Sequence, residues 1–187
     1  IDCDPGVDDA LALVLALVCP SVRCLAITTV AGNAPIEICT RNALRVLEAM
    51  SPREVPSVHE GASTPISGNE RARALHVHGE DGLGNINPSS YPDPVAAPIP
   101  PPAFKAILKN AERFPGEAIL VATGPLTNLA QAVREKPDSF SLFREIIIMG
   151  GAVRVPGNVT PHAEFNIWSD PEALEIILAF GVSPVLV

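Results

Sequence analysis

Four aspartates fall within nine residues at the start of the chain, Asp2, Asp4, Asp8 and Asp9 in "IDCDPGVDDALAL". Pro5-Gly6 forces a turn between a short apolar strand and an apolar helix, so Asp8 and Asp9 occupy the first helical turn, where the helix dipole favours negative charge. Compensation of that dipole accounts for Asp8 or Asp9. It does not account for Asp4 across the turn, because like charges so close repel and raise one another's pKa. A bound cation would resolve the conflict, and carboxylates without interleaved Cys or His are hard ligands suited to Ca²⁺ or Mg²⁺ rather than Zn²⁺. At this point both readings stand: a cation site, or capping and solvated charge.

Two cation motifs can be tested on the spacing. An EF-hand loop beginning at Asp2 needs a bidentate Glu at its twelfth position, which is Leu13. A D-x-D site similar to that of haloacid-dehalogenase-like phosphatases would make Asp2 the nucleophile and Asp4 the acid. The Gly6 that follows and the second Asp pair depart from that pattern, which leaves it a distant alternative.

The rest of the chain must position these groups. Strand-like runs occur at Val22 to Val30, Val55 to His59, Ala118 to Ala122, Glu145 to Met149 and Val182 to Val187. Helical patterns lie between them at Val7 to Val18, Ile36 to Met50, Phe104 to Phe114, Leu126 to Glu135 and Pro171 to Phe180. The last has Ser169 three residues before Glu172, which reads as a capping box, and Pro171 in the first turn. The alternation predicts an α/β fold, an open, mostly parallel sheet with helices on both faces, and ligands beyond the carboxyl ends of its strands. Residues 1–187 read as one domain. Ile1 opens inside a strand and Val187 closes another, which gives the expectation of a domain incomplete at both ends. Residues 82–103 hold seven of the 20 prolines and read as a long loop, either a lid beside the site or a spacer.

Composition narrows the partners. The chain has 187 residues, 47% of them hydrophobic, and a formal net charge of -8 with no Lys/Arg run, which argues against nucleic acid and for cations. The longest apolar run is too short to span a bilayer, so no membrane partner is expected. Cys3, Cys19, Cys24 and Cys39 form no CxxC pair and read as reduced core thiols, favouring a cytoplasmic setting.

Four further stretches accompany the aspartates: "TTVAGN" (28–33), "HGEDGLG" (78–84), "ATGPLTNLA" (122–130) and "MGGAVRVPGNVTPHAEFNIWSDPEA" (149–173). Together with "DCDPGVDDA" they resemble, in order and over almost the whole chain, the inosine-uridine nucleoside hydrolase family. The resemblance implies hydrolysis of the N-glycosidic bond of a ribonucleoside substrate to ribose and free base, with Ca²⁺ at the bottom of the pocket. Asp4, Asp9 and the Thr123 carbonyl would hold the ion, and Asp4 would take the proton from a calcium-bound attacking water. Asn33 would position water and ribose, and Asp8 would hold a ribose hydroxyl. Asn158, Glu164 and Asn166 would grip the sugar, with Met149 packed near it and His78 near the departing base. If Glu164 to Trp168 is extended, Glu164 and Asn166 share a face.

His76 and His78 lack further metal ligands, His59 and His162 read as surface or supporting residues, and Trp168 as packing. Family members continue beyond the point matching Val187 and carry there another Asp ligand and, in many, a His that protonates the base; they are often homo-oligomers. The resemblance therefore implies a hydrolase in the complete protein and weak activity in this chain alone. The competing expectation is a truncated, non-catalytic homologue that binds nucleoside or Ca²⁺.

Overall fold

The computed structural model describes residues 1–69, 73–85 and 93–187. Six parallel strands form one sheet in the order β3-β2-β1-β4-β5-β6: β1 Asp2–Cys3, β2 Ala26–Thr29, β3 Ser57–His59, β4 Ile119–Ala122, β5 Glu145–Ile148 and β6 Val185–Leu186. The helices are α1 Val7–Val18, α2 Ile36–Met50, α3 Leu75–His78, α4 Ala103–Arg113, α5 Thr127–Glu135, α6 Phe165–Ser169 and α7 Pro171–Ala179, with a 3-10 segment at Pro137–Leu142.

Right-handed crossovers decide the layering. From β1 the chain steps through α1 and α2 toward β3; from β4 it steps through α5 and α7 toward β6, so the two sets lie on opposite faces. The core divides accordingly. Leu13 of α1 and Ala43, Leu44 and Leu47 of α2 pack with Cys3, Ile27 and Val58. Leu129 and Val133 of α5 and Ile177 of α7 pack with Ile107 of α4 and with Leu120 and Ile148. Since β1 and β4 are neighbours, Asp2 opposite Ala122, the direction reverses between them. This is the topological switch point, where the loops after β1 and β4 diverge; such sheets bind their ligands there, beyond the carboxyl ends of the strands.

Several expected elements are shorter or differ in kind. β2 begins at Ala26 rather than Val22, and β6 keeps only Val185–Leu186, because pairing with a neighbour ends there. Ser169 does not cap α7: its hydroxyl donates to the Phe165 carbonyl at 2.7 Å, and Asp170 accepts from the Ala173 amide instead. Glu164 to Trp168 is not extended; Glu164 caps a one-turn helix beginning at Phe165. His59 is buried, with Nδ1 2.9 Å from the carbonyls of both Ile99 and Pro101. Cys3 and Cys39 are buried free thiols, whereas Cys19 and Cys24 are half-buried. Of the proline-rich 82–103 segment, 86–92 lies outside the described residues; 94–102 contains neither helix nor strand. Among the described residues no helix is long and apolar enough to cross a membrane.

Candidate active site

The switch point gathers the acidic motif. β1 ends at Cys3, so Asp4 projects at its carboxyl end and is fully buried. Gly6 starts α1, and the Asp9 carboxylate reaches back to accept its amide at 3.1 Å. From β4, the Thr123 hydroxyl donates to the other Asp9 oxygen at 2.6 Å. Asn33, in the loop after β2, donates its backbone amide to Asp4 Oδ2 at 2.7 Å, and its Nδ2 lies 3.1 Å from the Asp4 carbonyl and 3.4 Å from Asp9 Oδ2. Gly6 and two sequence-distant residues, Asn33 and Thr123, thus meet around two carboxylates.

Close backbone approach makes this packing feasible. A Cβ at Gly124 would stand 2.5 Å from Asp4 Oδ1, and one at Gly32 would overlap Asp4 Oδ2. Asp4 is therefore cradled by bare backbone on both sides.

The electrostatics of the pair are unfavourable as they stand. Burial first, and then the charge of Asp9, holds the Asp4 carboxyl well above the ordinary carboxylate range. Burial also pushes Asp9 up to about 6, against the hydrogen bonds from Thr123 and Gly6 that favour its ionised form. Asp4 Oδ1 is buried with no hydrogen-bond partner. An orphaned carboxylate oxygen beside a second buried carboxylate fits a hard cation. Among the described residues no group of three or more Asp, Glu, His or Cys side chains converges as a metal site.

The second cluster lies beside the first. Asn166 is buried, and its Nδ2 donates to the carbonyls of Thr123 at 2.8 Å and Met149 at 3.1 Å, tying α6 to the ends of β4 and β5. Glu164 accepts from the Gly151 amide at 3.0 Å and from Asn166 at 2.9 Å. Asn158 is exposed and accepts from the Phe165 amide at 2.8 Å, so in this structure it orients the start of α6. Met149 is half-buried at the end of β5.

His78 closes the other side. The Val7 amide donates to Nδ1 at 3.2 Å, which makes that nitrogen the acceptor and puts the ring proton on Nε2. Burial holds its pKa below the ordinary imidazole value, although Asp8, 3.7 Å away and largely exposed, pulls the other way.

Asp2 is not available as a nucleophile. It is fully buried, and Oδ1 accepts from the Thr28 hydroxyl at 2.5 Å and the Asn128 amide at 2.9 Å. This removes the phosphatase alternative. The sequence assigns Asn128 no role although it lies inside "ATGPLTNLA", because its hydrogen-bond partners are remote in the chain.

The model of the inosine-uridine preferring nucleoside hydrolase family matches residues 1–187. The chain belongs to this family. Among nucleoside hydrolase relatives, it is 42% identical to probable uridine nucleosidase 2 of Arabidopsis thaliana, over all of this chain and 57% of that protein. It is likewise 42% identical to the pyrimidine-specific ribonucleoside hydrolase RihA of Salmonella enteritidis, over all of this chain and 58% of that protein. The fold superposes on a plant nucleoside hydrolase with a TM-score of 0.90 at 44% identity, covering 100% of this chain and 57% of that one. A purine-preferring ribonucleoside hydrolase from Gardnerella vaginalis gives 0.92 at 30% identity, covering 99% and 58%. The chain thus spans little more than half the length of these nucleoside hydrolases.

Proposed function

We propose that this site hydrolyses the N-glycosidic bond of a ribonucleoside to ribose and a free base, with Asp4 as general base. The observation that carries the reading is the buried, unpartnered Asp4 Oδ1 at the switch point, in a chain of the nucleoside hydrolase family.

Calcium would be held by Asp4, Asp9 and the Thr123 carbonyl, and when bound it supplies positive charge that makes a neighbouring water more acidic. Asp4 accepts the proton of the attacking water at its carboxylate. Asn33 fixes Asp4 in place through its backbone amide and offers its side-chain amide to the Asp4 carbonyl and the Asp9 carboxylate. Asp8 takes a ribose hydroxyl, and its exposure leaves its oxygens open to do so. Asn158, Glu164 and Asn166 form the sugar-binding side with Met149. As the bond breaks the ribosyl group gains positive charge, which a carboxylate-lined pocket stabilises more than it stabilises the neutral substrate. His78 would lie on the side of the leaving base, and because Nδ1 accepts from the Val7 amide, Nε2 carries the proton it can donate.

The experiment is incubation of the chain with uridine and with inosine, with added calcium or with chelator, and chromatography for free base and ribose. Calcium-dependent release in equal amounts is expected. Binding of nucleoside and calcium without release of base, in this chain and in one extended to the length of its relatives alike, would contradict the hydrolase reading and favour a binding function.

A further inference from the structure

We propose that Thr127 and Asn128, neighbours in the first turn of α5, are positioning residues that hold the two halves of the site in register, Asn128 the carboxylate half and Thr127 the α6 half. The assignment rests on the hydrolase reading for its meaning but on hydrogen bonds of its own.

Asn128 is fully buried and its amide is used on both sides. Nδ2 donates to Asp2 Oδ1 at 2.9 Å and to the Thr29 carbonyl at 2.8 Å; Oδ1 accepts from the Ala62 amide at 2.9 Å. One side chain therefore joins β1, the end of β2 and the loop after β3. The chain of bonds continues to the site. The Ala62 carbonyl accepts from the Ala31 amide at 2.9 Å, and Ala31 precedes Gly32 and Asn33, the residues against which Asp4 is packed. The loop leaves room for Asn128 because residue 61 is Gly: a Cβ there would overlap the Asn128 amide and the Thr29 carbonyl. The amide cannot turn over, since rotation would set Oδ1 against two acceptors and Nδ2 against a donor.

Thr127 points to the opposite face. Its hydroxyl donates to Asp170 Oδ2 at 2.6 Å; the same oxygen takes the Ile66 amide at 2.9 Å, and Oδ1 caps α7 at Ala173. Asp170 directly follows α6, which carries Asn166 and is capped by Glu164. Adjacent side chains on one helical turn thus reach the two functional clusters separately.

The test is backbone hydrogen exchange followed by NMR on Asn128→Ala and Thr127→Val, together with calcium titration calorimetry. Asn128→Ala is expected to speed exchange of the Asn33 amide, which donates to Asp4, about tenfold or more, leaving the Asn166 amide within about threefold. Thr127→Val is expected to do the reverse. Calcium affinity should fall about tenfold in Asn128→Ala and stay within about threefold in Thr127→Val. If the alanine variant does not fold, Asn128→Ser, which can keep one of the three hydrogen bonds, takes its place. General loss of stability would speed both amides together, and that result, or no change at either, overturns the clamp. A parent chain that takes up no calcium overturns the cation reading alone, and the exchange pattern still decides the clamp.

Discussion

The Thr123 hydroxyl donates to Asp9 Oδ1 at 2.6 Å, linking the end of β4 to the first turn of α1 across 114 positions of sequence. The backbone carbonyl of the same residue accepts from Asn166 Nδ2 at 2.8 Å, so its two oxygens have different partners. Thr123→Val keeps the carbonyl and removes the donor, leaving Asp9 Oδ1 without this hydrogen bond while Oδ2 stays held by the Gly6 amide. Calcium affinity measured by calorimetry should fall about tenfold, in line with the loss of a hydrogen bond to a charged group, and Thr123→Ser should restore it.

Stability should depend on pH in a direction set by the buried carboxyls. Asp2 and Asp9 have folded-state pKa values of about 6, both raised chiefly by burial, whereas an unfolded Asp titrates near the ordinary value of about 3.9. The folded state therefore binds protons more tightly. Their contribution is fully present below about pH 4 and is lost as pH rises through about 6. In chelator, the Tm should be higher at pH 5 than at pH 7.5 by about 5 °C. Saturating calcium favours the ionised forms and should shrink or reverse that difference; a Tm in chelator that rises from pH 5 to 7.5 would contradict it.

Gly124 tests the cradle around Asp4. Gly124→Ala puts a methyl group 2.5 Å from Asp4 Oδ1 and 3.0 Å from the Asp4 amide nitrogen, without any left-handed backbone requirement at that position. The strain falls on the site. A folded variant with calcium affinity lowered at least about tenfold is expected by calorimetry and circular dichroism.

His78 should matter in proportion to how badly the leaving group needs a proton. His78→Gln is expected to lower turnover of uridine about a hundredfold, the usual range for a general acid, while hydrolysis of a nitrophenyl riboside, whose leaving group departs as a stable anion, should change only a few-fold. Equal losses on both substrates would assign His78 to structure, through its bond to the Val7 amide.

What the sequence made legible was local. α1 and α2 run over the residues that apolar periodicity marks, because both helices are set by their own spacing and by the Pro-Gly turn and Pro35 before them. The strands are shorter than their β-branched runs, since a residue joins a strand only where a neighbour pairs with it; Val22 to Cys24 has the composition but no partner strand. The carboxylate cluster was visible from spacing alone. The capping of α7 by Asp170 rather than Ser169 was not, because Asp170 is held there by Thr127 and Ile66, both remote in sequence. Asn128 was hidden for the same reason: its three partners lie 66 to 126 positions away, and no periodicity records them.

The most direct measurement of the central claim is the rate of uracil release from uridine by Asp4→Asn at saturating calcium, compared with the parent chain under the same conditions. Loss of the carboxylate that receives the water's proton predicts a fall of at least about a hundredfold, with calcium occupancy verified by calorimetry in the same samples. Turnover within a few-fold of the parent, with calcium bound, would remove Asp4 from the role of base.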